Sequence, residues 1–160
     1  MKRLHIAAFA VLASILLSFT KSEADTSYKC MMQLVNYSGE NAYVVVSLIK
    51  PDGKYDRTLY VNGKDEKWHS DIFQWWAHQK KAKQKIDGIT GASIAGGQRA
   101  MNLVKIPSDL INKGYKVRVE SAVESQTYHK QDVEFEYKTE NINQKIDGKG
   151  YVKYVRLIPA

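Results

Sequence analysis

A single cysteine, no metal-ligand spacing among the histidines and no run of twenty apolar residues define this 160-residue chain by exclusion. Cys30 has no partner, so no internal disulfide is possible. On an alternating strand it reads as a small buried apolar group, against a reactive thiol that would want a basic, exposed setting. No His-Glu-x-x-His or related pattern links His69, His78 and His129, so no metal is expected and these read as surface histidines. Neither a Ser/His/Asp order nor a paired-carboxylate site stands out, which disfavours a hydrolase. Nucleic acid is a poor partner for want of any recognition motif. The longest apolar run, Ile6 to Phe19, follows Lys2 and Arg3 and precedes Ser22-Glu23-Ala24. That pattern predicts a secretory signal over residues 1–24 and a mature chain from Asp25 that is periplasmic or otherwise secreted. The run is too short for a stable membrane span, and no transmembrane segment is expected later.

Residues 25–160 suffice for one core and read as a single domain. Losing Lys2, Arg3, Lys21 and Glu23 takes the formal charge from +7 to +5. Much of that charge is local. Lys80, Lys81, Lys83 and Lys85 form either a solvated helix face or a surface for an anionic cofactor, partner or membrane. Tyr28 to Tyr37 alternates as a strand with Cys30, Met32 and Leu34 inward. Adjacent Met31 and Met32 point to opposite faces and cannot share a metal, so Met32 is read as core. The β-branched run Tyr43-Val44-Val45-Val46 predicts a strand covered on both faces, and Pro51-Asp52-Gly53 a turn into Arg57 to Val61.

A helix is predicted from Asp71 to about Lys83, capped by Ser70, with Ile72, Trp75, Trp76 and Gln79 on its inner side and one tryptophan at an edge. Gln98 to Ile106 is ambiguous between strand and helix. Lys116 to Glu124 alternates Val117, Val119 and Val123 inward with Lys116, Arg118, Glu120 and Glu124 outward. Asp132 to Lys138 repeats the device, and Tyr151 to Ile158 is the last strand. About seven short strands with regular turns predict a mainly β chain, an immunoglobulin-like antiparallel β-sandwich with a short helical insertion near 70–100 at one end.

The stretch Asp87-Gly88-Ile89-Thr90-Gly91-Ala92-Ser93 carries the chemistry. Its pattern should arise by accident in roughly one in a thousand chains of this length. It resembles the flavinylation motif recognised by periplasmic flavin transferases of the ApbE type, in which the last hydroxyl takes FMN through a phosphoester. By that resemblance Ser93 is the acceptor and Asp87, Thr90, Gly91 and Ala92 complete the site. The family pattern usually ends in Thr; Ser keeps the hydroxyl and loses the β-methyl. Gly91 and Ala92 keep the approach clear, Gly91 supplying unusual backbone angles on a tight turn that exposes Ser93. Asp87 either orients the hydroxyl or binds the transferase's metal. The competing reading is an ordinary turn into a short helix capped by Thr90 or Ser93. Trp68 or Trp76 either anchors the fold or shields the flavin ring. Gly96-Gly97 permits close backbone approach and a phosphate-holding nest of amides. Gln144-Lys145-Ile146-Asp147-Gly148 repeats the motif's approach without its hydroxyls and reads as a hairpin turn.

Trp75-Trp76, then the motif, then Gly96-Gly97, then Gly114-Tyr115 running into Val119-Glu120 is an order that resembles the predicted periplasmic proteins of the DUF2271 family. That resemblance implies association with flavin transferases and with membrane-bound flavin reductases of the PepSY type. The function expected is an electron carrier with covalent FMN on Ser93, a redox carrier more than a stand-alone enzyme. A cofactor-free secreted β-sandwich binding module is the alternative.

Overall fold

The computed structural model describes residues 24–160. The signal-peptide reading therefore falls almost wholly outside the described residues. The strands are β1 (Asp25–Leu34), β2 (Tyr43–Ile49), β3 (Tyr55–Asn62), β4 (Thr90–Gly91), β5 (Arg99–Pro107), β6 (Lys116–Ala122), β7 (His129–Glu136), β8 (Ile146–Asp147) and β9 (Val152–Pro159). Among the described residues one α-helix, α1 (Phe73–Ala82), stands between β3 and β4. The strands form a four-stranded sheet in the order β5-β1-β9-β8 and a five-stranded sheet in the order β4-β3-β2-β6-β7. This is the mainly β, two-sheet sandwich with a short helix that the alternation predicts. Every named pairing is antiparallel except that of β3 with β4.

Between the sheets lies the main core. Cys30, Met32 and Leu34 of β1 meet Val44, Val46 and Leu48 of β2, with Val117 and Val119 of β6 beside them. Burial raises the Cys30 thiol to about 12, so it behaves as a small apolar group rather than a nucleophile. Gln98 to Ile106 resolves to strand: Val104 and Ile106 are buried while Met101 and Leu103 face out, a period of two.

A second apolar cluster joins Val45, Val61 and Ala122 on the outer face of the five-stranded sheet to Ile72 and Trp75 of the helical segment. The insertion thus covers this face instead of sitting at one end of the sandwich. Trp75 is fully buried and its Nε1 donates to Thr58 Oγ1 at 2.9 Å, whereas Trp76 is half-buried, the edge position expected of one of the pair.

Ser70 does not cap α1. A 3-10 turn, Glu66–Asp71, comes first and is capped by Asp65, whose carboxylate accepts from the Lys67 amide. The chain leaves helical geometry at Ile72 before α1, and Ile72 and Trp75 are both fully buried there. His69 is likewise not a surface residue: it is buried, with Nε2 2.8 Å from the Gly63 carbonyl oxygen. His78 stacks on Tyr55 and His129 packs edge-on against Tyr151, both half-buried.

The main surprise is on β6, where Arg118 and Glu120 face outward as the alternation predicts and are nevertheless buried. Glu120 accepts hydrogen bonds from the hydroxyls of Tyr55 and Tyr128. Arg118 Nε donates to Glu134 at 2.5 Å, and its guanidinium lies 5.6 Å from the Tyr55 ring centroid. Burial pushes Glu120 upward, and although burial also works against ionised Glu134, Arg118 and Lys116 hold that carboxyl below its ordinary value. Phe73 and His78 of α1 pack on Tyr128 and Tyr55, so the helix seals these charges from water.

Candidate functional site

The path to the motif begins where α1 ends, at Lys83 in the left-handed region. Gln84 then docks on the free edge of β3. Its side chain accepts from the Thr58 amide and donates to the Thr58 carbonyl, both at 2.8 Å, imitating a strand partner. Gln79 Nε2 holds the Gln84 carbonyl at 2.6 Å. The segment thus enters the motif already anchored to the sheet.

Asp87–Ile89 is a 3-10 turn, and Thr90 Oγ1 closes it by donating to the Ile86 carbonyl at 2.7 Å. Thr90 and Gly91 pair in parallel with Val61 and Asn62, forming an edge strand where the competing reading placed a helix. Gly91 has no positive φ, which corrects the expectation of unusual backbone angles there. Its backbone instead lies close to a tyrosine: a Cβ would stand 2.6 Å from the Tyr60 hydroxyl oxygen, so a larger residue would require the end of that side chain to shift.

Asn62 Nδ2 donates to the Ala92 carbonyl at 3.1 Å, and Asn102 in turn donates to Asn62 Oδ1 at 2.7 Å. One residue past Ser93, Ile94 exchanges backbone hydrogen bonds with Ala42. Ser93 is therefore pinned on both sides in a short extended run. It is half-buried, not exposed on a tight turn. Among the described residues no hydrogen bond engages its hydroxyl, whereas that of Thr90 is committed.

Ser93 lines a hollow of about 210 Å³ with Tyr43, Trp68 and the carboxylate-bearing Glu40, Asp71 and Glu124. Asp87 and Thr90 line a different cleft, of about 680 Å³, together with Trp76, Lys80 and Lys85. The turn Glu66–Asp71 contributes to both concavities, Trp68 and Asp71 to the first and Glu66 and His69 to the second. The structure thus separates Asp87 from Ser93 and gives each a tryptophan of its own. Lys80, Lys81, Lys83 and Lys85 are all exposed, as a polar helix face and its continuation should be.

The glycine pair after the motif does allow close approach, since a Cβ on Gly96 would lie 2.8 Å from the Tyr37 carbonyl oxygen. The neighbouring amides are not a free nest. Gly97 donates to Val35, Gln98 to the Ala95 carbonyl and Ala95 to Gln98 Oε1, leaving these three donors already used. The repeat around Asp147 behaves as a hairpin, with β8 turning back onto β9. Among the described residues, no group of three or more His, Cys, Asp or Glu is arranged to hold a metal ion. Of the described helices, none is long and apolar enough to cross a membrane.

Sequence reading missed Gln84, Asn62 and Asn102 as the supports of the motif. The signal available was the repeated Gln-Lys-Ile-Asp-Gly, which marked Gln84 without showing that it bonds β3. Residues 25–154 match the model of a family described as predicted periplasmic protein. No curated protein and no solved structure matches the chain.

Proposed function

For a chain that belongs to the DUF2271 family of predicted periplasmic proteins, we propose that Ser93 is the attachment point of FMN and that the protein is an extracytoplasmic electron carrier. The observation that carries this reading is the contrast of two hydroxyls in one motif. Thr90 gives its proton to the Ile86 carbonyl, while Ser93 is held still and left uncommitted. An acceptor needs both properties, a fixed position and a free lone pair.

The surroundings suit attachment better than reversible capture. Glu40, Asp71 and Glu124 repel a free phosphate, so an anionic group stays beside Ser93 only through a bond. At about 210 Å³ the hollow is smaller than the roughly 300 Å³ lower bound of ligand pockets, so it houses the phosphoester end and leaves a ring system outside. Trp68 and Tyr43 are the aromatic faces beside that end.

Attachment forms one bond from Ser93 Oγ to phosphorus, breaks the bond from phosphorus to the leaving group of an activated flavin nucleotide, and passes the hydroxyl proton to the transferase. Asp87 lies in another concavity and is exposed, which suits contact with the transferase or its metal rather than with Ser93. The flavin, once held, supplies the redox chemistry. The chain supplies position and an accessible edge, and a membrane-bound flavin reductase of the PepSY type is the partner this reading implies.

Asp87→Asn and Asp147→Asn form the matched test. The two carboxylates sit in the same pentapeptide, but only Asp87 leads into Thr-Gly-Ala-Ser. Flavin incorporation should fall strongly in the first and stay unchanged in the second. Equal loss in both would show that the pentapeptide itself is what the transferase reads.

A further inference from the structure

The outer face of the four-stranded sheet is open to solvent along β5 and at the middle of β1. Arg99, Met101, Leu103 and Lys105 of β5 and Lys29 of β1 are all exposed. Directly paired residues of neighbouring strands share a face, so the register sets the rows. Met101 stands beside Met31, which stands beside Arg156, and Leu103 stands beside Lys29, which stands beside Ile158. Charge on this face is nearly all of one sign. Among the described residues Lys29, Arg99, Lys105 and Arg156 form no ion pair. Arg99 and Arg156 donate to neutral acceptors, Gln33 Oε1 and the Asn143 carbonyl, so their charge stays uncompensated. Of the outward positions of the four strands, carboxylates stand only at Asp25, where β1 starts, and at Asp147, which lies 3.6 Å from Lys145.

This arrangement discriminates among occupants. A second copy docked face to face would set four cations against the same four, because a two-fold interface uses one patch twice. Protein partners prefer an apolar centre depleted of lysine, with charge kept to the rim. Here Lys29 sits on the middle of the three long strands, between Leu103 and Ile158. An anionic lipid surface suits that interleaving: a lysine stem lies along apolar neighbours while its ammonium reaches a phosphate, and apolar tips enter the headgroup layer.

We propose that the outer face of the four-stranded sheet docks on a bilayer surface that contains anionic phospholipid. Met101 and Leu103 enter the headgroup layer, and Lys29, Arg99, Lys105 and Arg156 meet phosphates. Docking this way turns the five-stranded sheet, with α1 and the motif strand β4, towards the aqueous phase. The inference holds whether or not Ser93 carries flavin.

The secreted chain, produced without a flavin transferase, is sedimented with vesicles of phosphatidylethanolamine and phosphatidylglycerol and, separately, with neutral vesicles of phosphatidylcholine. It should bind the anionic vesicles, be released as salt rises, and leave the neutral ones unbound. Joint Lys29→Gln and Lys105→Gln should weaken binding about tenfold or more, and joint Met101→Ser and Leu103→Ser should weaken it as well. Joint Lys80→Gln and Lys81→Gln removes the same charge from the opposite side of the sandwich and should change binding by less than about twofold. A polarity-sensitive dye on Met101→Cys, where buried Cys30 does not compete for label, should shift to shorter wavelength on anionic vesicles, and the same dye on Lys81→Cys should not. These positions are exposed, and a thermal melt checks that each variant is folded. Equal binding to neutral vesicles, equal loss in the two lysine pairs, or a dye shift at position 81 alone would overturn the proposal. So would absence of binding to anionic vesicles, which would leave the face to an acidic protein partner. With no transferase present, none of these outcomes depends on Ser93.

Discussion

The two outer faces of the sandwich are built from similar alternating strands and end in opposite states. On the five-stranded sheet the outward residues of β6, Arg118 and Glu120, are buried beneath α1 and paired with Glu134, Tyr55 and Tyr128. On the four-stranded sheet the outward residues of β5, Met101 and Leu103, are 56% and 54% exposed, with Arg99 and Lys105 exposed in the same row. Charge went inside on one face and apolar surface stayed outside on the other. Alternation therefore specifies which residues share a face, but what packs over that face decides whether it is wet. The motif belongs to the covered side, where the segment that shields the sheet also delivers Ser93.

The comparison breaks most readily at the covered face. Trp75→Ala should cost about 4 kcal/mol in chemical denaturation, since it empties the second core and orphans Thr58 Oγ1. A loss no larger than that of a surface substitution would mean the helix is an appendage. Glu120→Ala should cost about 3 kcal/mol, because two tyrosine hydroxyls lose their acceptor under the helix.

Proton linkage at the same position sharpens the contrast. Burial raises Glu120 in the folded state, so its ionisation opposes folding: the penalty is absent below the unfolded-state value, grows as pH rises from that value towards the raised folded one, and is complete above it. Glu134, held low by Arg118 and Lys116, does the reverse, contributing stability above its unfolded value that is lost as pH falls through its folded value. The melting temperature of Glu120→Gln should therefore gain on that of the natural protein as pH rises from the acid range to neutrality. A gap that narrows or reverses would show that Glu120 is stabilised as the carboxylate by its tyrosines.

Exposed charge on the helix should act on rates rather than on folding. Replacing Lys80, Lys81 and Lys83 by Gln should slow flavin transfer at low salt, with the difference shrinking at high salt, where the Debye length falls to a few Å (~3 Å at 1 M). The melting temperature should scarcely move. The smallest effect belongs to the bare face: Met101→Ser and Leu103→Ser should each change stability by less than about 0.5 kcal/mol. A larger loss would mean that this face is covered in solution.

The sequence reveals most where local pattern and burial coincide. Cys30, Met32 and Leu34 alternate into the core as read, and Val44-Val45-Val46 is covered on both sides as a continuous β-branched run should be. The reading of β6 placed its two faces correctly and missed that the outer one is covered, although the clue was present. Val45 is buried on the outer face and Glu120 is its cross-strand neighbour, so a strand covered on both faces already implied cover over Glu120. The pairing was the missing step, because register between β2 and β6 joins residues some seventy positions apart. The heptapeptide was legible as a motif, but its supports were not: Gln84 against Thr58 and Asn102 against Asn62 are side-chain bonds between distant segments with no period to announce them.

The most direct test of the account is the intact mass of the mature chain made together with a flavin transferase, compared with that of Ser93→Ala made in the same way. The natural chain should carry one added FMN, less one water, localised to the peptide containing Ser93, and Ser93→Ala should melt normally and carry none. An unmodified natural chain, or the same added mass on folded Ser93→Ala, would contradict Ser93 as the attachment point.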